Sequence, residues 1–128
     1  MLRVYVQLFE DGDLNKTPNI KVVKESPGTA TIDADRALGI MAGIQAMEMA
    51  ISKARNVGVG VVTMFNSGHM GAVGHFSMMA AQRDMVGMCS VAAGTVIIPT
   101  FGPEPRLGTN PITIASHSNL EELKQKHI

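Results

Sequence analysis

Leu2, Tyr5, Val6, Leu8 and Phe9 recur within the first ten residues as one short amphipathic helix over 2–10 would place them, and Asp11-Gly12-Asp13 marks its stop. Residues 12–19 read as loop, closed by Pro18-Asn19. IKVVKE (20–25) and TATID (29–33) read as strands around the turn signal Ser26-Pro27-Gly28, which predicts an antiparallel pair. The clearest periodicity lies over 36–56. Ile40, Ile44, Met47, Ile51 and Ala54 repeat at spacings of four and three, with Gln45, Glu48, Ser52 and Arg55 on the other side. This predicts a helix whose isoleucine stripe faces the core, ended by Asn56-Val57-Gly58.

GVGVVTMF (58–65) is apolar throughout, as a strand covered on both sheet faces would be. A glycine-rich loop (66–71) then leads to a helix over 72–84, and MVGMCSVA (85–92) reads as another apolar strand. Residues 94–111, rich in Pro and Gly, read as an ordered loop, and ITIA (112–115) as a short strand. Ser118, with Glu121 three residues on, predicts a capped helix over NLEELKQKHI. Helix–strand–loop–helix–strand through the middle of the chain predicts an α/β fold, with the domain over 1–116 and a helix or tail over 117–128.

Composition narrows the function. The 128 residues are 45% hydrophobic and 17% charged, which excludes a disordered charged tail. Eleven basic residues balance eleven acidic ones, so no basic surface argues for nucleic acid or anionic lipid. No apolar run approaches the ~20 residues that span a bilayer, and the N-terminus lacks the cationic start of a signal peptide. The single Cys89 excludes an internal disulfide and points to a reducing, cytoplasmic compartment. It sits in an apolar strand, as an inert core thiol would. No His/Cys/Asp/Glu cluster has metal-ligand spacing, so no metal is expected. The ten methionines read as core filler.

The candidate chemistry lies in Asn66-Ser67-Gly68-His69-Met70-Gly71-Ala72-Val73-Gly74. It follows an apolar strand and opens a helix, where α/β proteins place their sites. Glycines there let a ligand approach the backbone, and amides at a helix start favour an anion. Histidine is the residue type suited to proton transfer near neutrality, so His69 is either a catalytic or ligand residue or a loop histidine capping the helix. The GxxGxxG spacing differs from the Rossmann GxGxxG. His75 lies inside the following helix, where a structural or surface role is expected, and His117 beside a polar tail. Gly108-Thr109-Asn110-Pro111 is either a turn feeding the 112–115 strand or a ligand loop.

Taken in order, LRVYV, TPNIKVVKESPGTATIDAD, AMEMAISKARNVGVGVV, NSGHMGAVG and LGTNPITIA resemble the malate/L-lactate dehydrogenase family of the non-Rossmann type, which includes ureidoglycolate and sulfolactate dehydrogenases. The resemblance runs from about Leu2 to Ala115. It implies a partial domain of that fold, a mixed sheet with packed helices, and an NAD(P)-dependent oxidoreductase acting on a small 2-hydroxy or 2-keto acid as a homodimer. By the same resemblance His69 is the acid/base, Arg3 and Asn66 meet the substrate, and Ser67, Gly71, Thr109 and Asn110 meet the NAD or NADP. A family Ser-His-Gly motif would precede LRVYV, and a second half supplying most dinucleotide contacts would follow GTNPITIA. Ala93 stands where the family often has Ser, and Phe101-Gly102-Pro103 replaces aromatic-Gly-Gly. The chain therefore reads as one segment of such an enzyme, inactive by itself. The alternatives are a non-catalytic remnant that binds or dimerises, and an unrelated anion-binding module.

Overall fold

The structure, a computed structural model, describes residues 2–117. The chain divides into two compact units, Met1–Ala72 and Val73–Ile128. The fold is mixed α/β.

In the first unit, α1 (Leu2–Glu10) leads through a loop to β1 (Lys21–Glu25) and β2 (Thr29–Ala37), paired antiparallel around Ser26-Pro27-Gly28. The turn is closed by the Ser26 amide on the Thr29 carbonyl at 2.9 Å and by the two hydroxyls at 2.7 Å. Helix α2 (Gly39–Val57) then crosses over to β3 (Val61–Ser67), which runs parallel to β2. Parallel neighbours need such a crossover. The result is a mixed three-stranded sheet in the order β1-β2-β3. Helix α2 ends as its sequence predicts, with Gly58 left-handed at φ 89° and its amide on the Ala54 carbonyl.

Three expectations need correction here. The helix begins at Gly39 rather than 36, because Asp35 and Arg36 both take positive φ and close β2 instead. The isoleucine stripe is only partly the core face, with Ile51 buried and Ile40 and Met47 half-buried. Ile44 is 39% exposed, while Gly39, Ala42, Gly43, Ile51 and Lys53 are buried. Small residues let α2 settle close over Ala30, Ile32 and Ala34 of β2, and Ala34, Ala37 and Ala42 form a cluster flanked by Ile20 and Met64. Finally, β3 is a sheet edge covered on one face. Val61 and Phe65 are each 50% exposed on the open side, where the Thr31 and Thr63 hydroxyls bond at 3.0 Å.

Lys53 is buried yet satisfied. Its ammonium donates to Glu25 Oε1 and to the Ser26 carbonyl, both at 2.8 Å, tying α2 to the hairpin turn. A shallow concavity lies beside that pair, lined by Pro27, Met49, Ser52 and Asn56 as well.

In the second unit, α3 (Gly74–Ala81) packs on an antiparallel pair formed by β4 (Gly87–Ser90) and β5 (Ile112–Ala115). The helix expected over 72–84 is shorter because it tightens after Ala81 into three-residue turns that end at Asp84, φ 59°. The strand expected over 85–92 shrinks to the length its partner β5 can pair. Residues 94–111 are mostly loop, with one bridge between Ile97 and Leu107. Gly87 lies against the Ser77 carbonyl with no room for a side chain. Met88, Ile112 and Ile114 stay exposed on the face away from α3. The helix expected from Ser118 lies outside the described residues. None of the helices among the described residues is long and apolar enough to cross a membrane.

Candidate functional site

The sheet of the first unit is irregular at the carboxyl end of β2 and β3. Asp33 opposes Phe65 and Ala37 opposes Ser67, so three residues of β2 bulge against Asn66 alone. Asp35, Arg36 and Asn66 hold φ values of 49°, 56° and 53°, which cost a non-glycine residue stability unless its surroundings fix it. They are fixed here. Asp33 Oδ1 accepts from the Asp35 amide and from Asn66 Nδ2, both at 2.9 Å. Asp35 Oδ2 accepts from Asn15 Nδ2 and the Asn19 amide, both at 2.9 Å. The Arg36 guanidinium donates to the Gly12 carbonyl at 2.7 Å, and Leu14 is buried beside it in sequence. The bulge thus anchors the 12–19 loop.

Past Ser67 the chain turns over the start of α2. The Gly68 amide donates to the Ala37 carbonyl at 2.9 Å. A side chain on Gly39 would overlap the Gly68 carbonyl, and one on Gly68 would overlap Leu14. These two glycines are close-approach positions, and they set the path that delivers His69. Its imidazole is exposed at the end of β3, with Nδ1 2.7 Å from the Tyr5 hydroxyl. The rings lie 5.9 Å apart between centroids, tilted by 33°. Nε2 bonds to none of the described residues. Gly71 follows at φ 67°, in contact with Ile40.

His69, Asn66, Ser67 and Gly71 therefore share one strand end. The Asn66 amide nitrogen is committed to Asp33, leaving its Oδ1 available. Arg3 is exposed on α1, two residues from Tyr5, and on a helix turning about 100° per residue it lies on the far side of α1 from the phenol. Two residues of this site escaped the sequence reading. Tyr5, the chain's single tyrosine, looked like an apolar helix position, and Asp33 like an ordinary strand residue. The only signal was the polar run Asp33, Asp35, Arg36 after an apolar strand.

The second unit holds the other motif. Asn110 at φ 39° accepts the Ala93 amide on Oδ1 at 2.9 Å, and a side chain on Gly108 would overlap the Ala93 carbonyl. The Val91 amide donates to the Pro111 carbonyl at 3.1 Å. Bonds back to Val91 and Ala93 hold Pro111 and Asn110 at the entry to β5, while Thr109 is exposed. Burial raises the half-buried Cys89 thiol above its ordinary pKa. His75 is exposed at the start of α3, edge-on to Phe76.

Two of the residues that the resemblance assigns to a dinucleotide already hold partners within the chain. The Asn110 oxygen is taken by Ala93, and Ser67 Oγ donates to the Gly68 carbonyl at 3.1 Å.

The Asp33 contacts have an acid signature. Hydrogen bonds from the Asp35 amide and then from Asn66 hold its carboxyl below the ordinary range, with a smaller contribution from Lys21. The unfolded chain then takes up this proton first as pH falls. The stabilisation is fully present above the unfolded value of about 3.9 and is lost as pH drops through the folded value. Thermal midpoints measured from pH 6 downward should fall less steeply in Asp33→Asn than in wild type, and parallel curves would show that Asp33 carries no such linkage.

A family model described as malate/L-lactate dehydrogenase matches residues 1–122. The L-sulfolactate dehydrogenase of Methanocaldococcus jannaschii is 47% identical over 115 residues, which is 90% of this chain and 33% of that protein. The malate dehydrogenase of Pyrococcus abyssi is 40% identical over 115 residues, 90% of this chain and 32% of that protein. The structure of malate dehydrogenase from Pyrococcus horikoshii OT3 superposes with a TM-score of 0.86 at 39% identity, covering 92% of this chain and 34% of that one. The chain spans about a third of the length of the curated relatives it matches.

Proposed function

The chain belongs to the malate/L-lactate dehydrogenase family, and on that premise we propose that it carries the proton-transfer part of an NAD- or NADP-dependent oxidoreductase acting on a small 2-hydroxy or 2-keto acid. The observation that carries the reading is His69 itself: an exposed imidazole at the carboxyl end of a parallel strand pair, with Nδ1 held by Tyr5 and Nε2 bonded to none of the described residues. In this reading Nε2 takes the hydroxyl proton during oxidation and returns it during reduction. Arg3 is proposed as the carboxylate-binding group on the resemblance alone, because a guanidinium can grip a carboxylate by two parallel hydrogen bonds while this one stands on the side of α1 away from the Tyr5 phenol. Asn66 Oδ1 is the acceptor for a second substrate hydroxyl or amide.

Hydride acceptance and donation is the chemistry that a nicotinamide would supply in the whole enzyme. Gly71 and Thr109 are the positions of this chain proposed to meet it, with Ser67 and Asn110 supporting the backbone around them. The assembly proposed is a homodimer.

The test is a chimera in which these residues replace the matching 115 of the Methanocaldococcus jannaschii L-sulfolactate dehydrogenase. NADH and NADPH absorbance is followed with a panel of 2-keto acids. Saturable oxidation with at least one acid is the expected result. A folded chimera without turnover on any acid that the parent enzyme reduces would favour the remnant reading.

A further inference from the structure

Tyr5 has no place in the proposed chemistry, yet the structure ties it to His69. Among the described residues, helix α1 has no fully buried member and its backbone comes close to no other helix or strand. Its chain connection runs through the 11–15 loop, where the Leu14 amide donates to the Leu8 carbonyl. Beyond that loop, among the described residues, α1 is fastened to the sheet end through the half-buried Tyr5, whose hydroxyl meets Nδ1 at 2.7 Å.

The chemistry of the pair is specific. A phenol both donates and accepts, so it can partner Nδ1 in any protonation state of the ring. For Nε2 to act as a base its lone pair must be bare, and the ring proton then sits on Nδ1, donated to the phenol oxygen. Once Nε2 has taken a proton the ring is a cation, and Nδ1–H still donates to the same oxygen. The bond persists through the transfer, and the imidazole need not rotate. Occupying Nδ1 also leaves Nε2 as the nitrogen that faces outward, because the two ring nitrogens lie on different sides of the ring.

We propose that Tyr5 is a positioning residue for His69, holding Nδ1 so that Nε2 is the nitrogen presented to substrate. The proposal rests on the reading of His69 as the proton-transfer group. It also gives α1 a purpose that burial does not: the helix brings the phenol to the imidazole.

The experiment has two arms. Long-range proton–nitrogen correlation spectra of the 128-residue chain, recorded where the rings are neutral, report the Nδ1 and Nε2 environments of each histidine. Tyr5→Phe keeps the ring and removes the hydroxyl. It should move the His69 nitrogen signals and its tautomer ratio while leaving those of His75 unchanged. Methyl signals of the buried Ile32 and Ala34 confirm that the fold is intact. In the chimera, the same substitution should lower kcat about tenfold with KM within twofold, the scale of one lost hydrogen bond that acts in the transition state. Unchanged His69 nitrogens, or a loss confined to KM, would overturn the positioning role. If instead His69→Ala leaves turnover intact, the proton-transfer reading fails while the spectra still report whether Tyr5 holds the ring.

Discussion

His69→Ala in the chimera is expected to lower kcat by about 100-fold or more, the usual contribution of a positioned acid or base. The reasoning runs from geometry to rate. Alcohol oxidation leaves a hydroxyl proton that must go somewhere as hydride departs, and water placed at random is a poor acceptor for it. His69 stands at the end of β3 on a path set by Gly39 and Gly68, with one nitrogen occupied by Tyr5 and the other bonded to none of the described residues. Truncation removes both the acceptor and its aim. KM should change far less than kcat, because the imidazole is asked to act on the reacting proton rather than on the carboxylate. Stopped-flow or steady-state absorbance at saturating keto acid measures this directly. Turnover within threefold of the unsubstituted chimera would remove His69 from proton transfer.

Gly60→Val should be the most damaging single change to stability. Gly60 leads into β3, and a side chain there would penetrate the backbone carbonyl of Ala50 in α2. Backbone cannot yield as a flexible side-chain tip can, so α2 must lift from the sheet or β3 must start elsewhere. Either loosens the helix–sheet contact that buries Ala30, Ile32, Ala34 and Ala42. The expected cost is about 3 kcal/mol or more, in the upper range for overpacking. Gly94→Val is the control. It lies in a loop with nothing near the added side chain, and its cost should stay within about 0.5 kcal/mol. Urea midpoints of the two variants against wild type decide the matter. Equal midpoints would mean that α2 does not approach β3 so closely.

That close approach explains the main misreading of the sequence. Periodicity locates a helix over 36–56 because isoleucine and methionine recur at helical spacing, and the helix is there. Hydrophobicity alone then selects Ile40, Ile44, Met47 and Ile51 as the buried stripe. The sheet selects the neighbouring stripe of Gly39, Ala42 and Gly43, joined by Ile51 and Lys53. A helix seated almost on the backbone of a strand has no room for branched side chains, so glycine and alanine win that face despite their small transfer energies. Lys53 is buried on the same account, because Glu25 and the Ser26 carbonyl await it, and neither partner is visible in the helical pattern.

The sequence by itself determined the element order, the hairpin around Ser26-Pro27-Gly28, the Gly58 helix stop, the α/β class and the loop that carries His69. Each of these depends on residues near one another in the chain, through local φ preferences and short-range periodicity, and the ordered motifs resemble a family that the comparisons bear out. Tertiary structure alone decided which face of α2 is buried, that β3 is an open edge, that the end of β2 bulges around Asp33 and Asp35, and that Tyr5 meets His69 across 64 intervening steps of chain. These depend on distances between segments far apart in sequence. A tyrosine in an amphipathic helix and a histidine in a glycine loop carry no mark of each other until the bulge, Gly39 and Gly68 set the path between them.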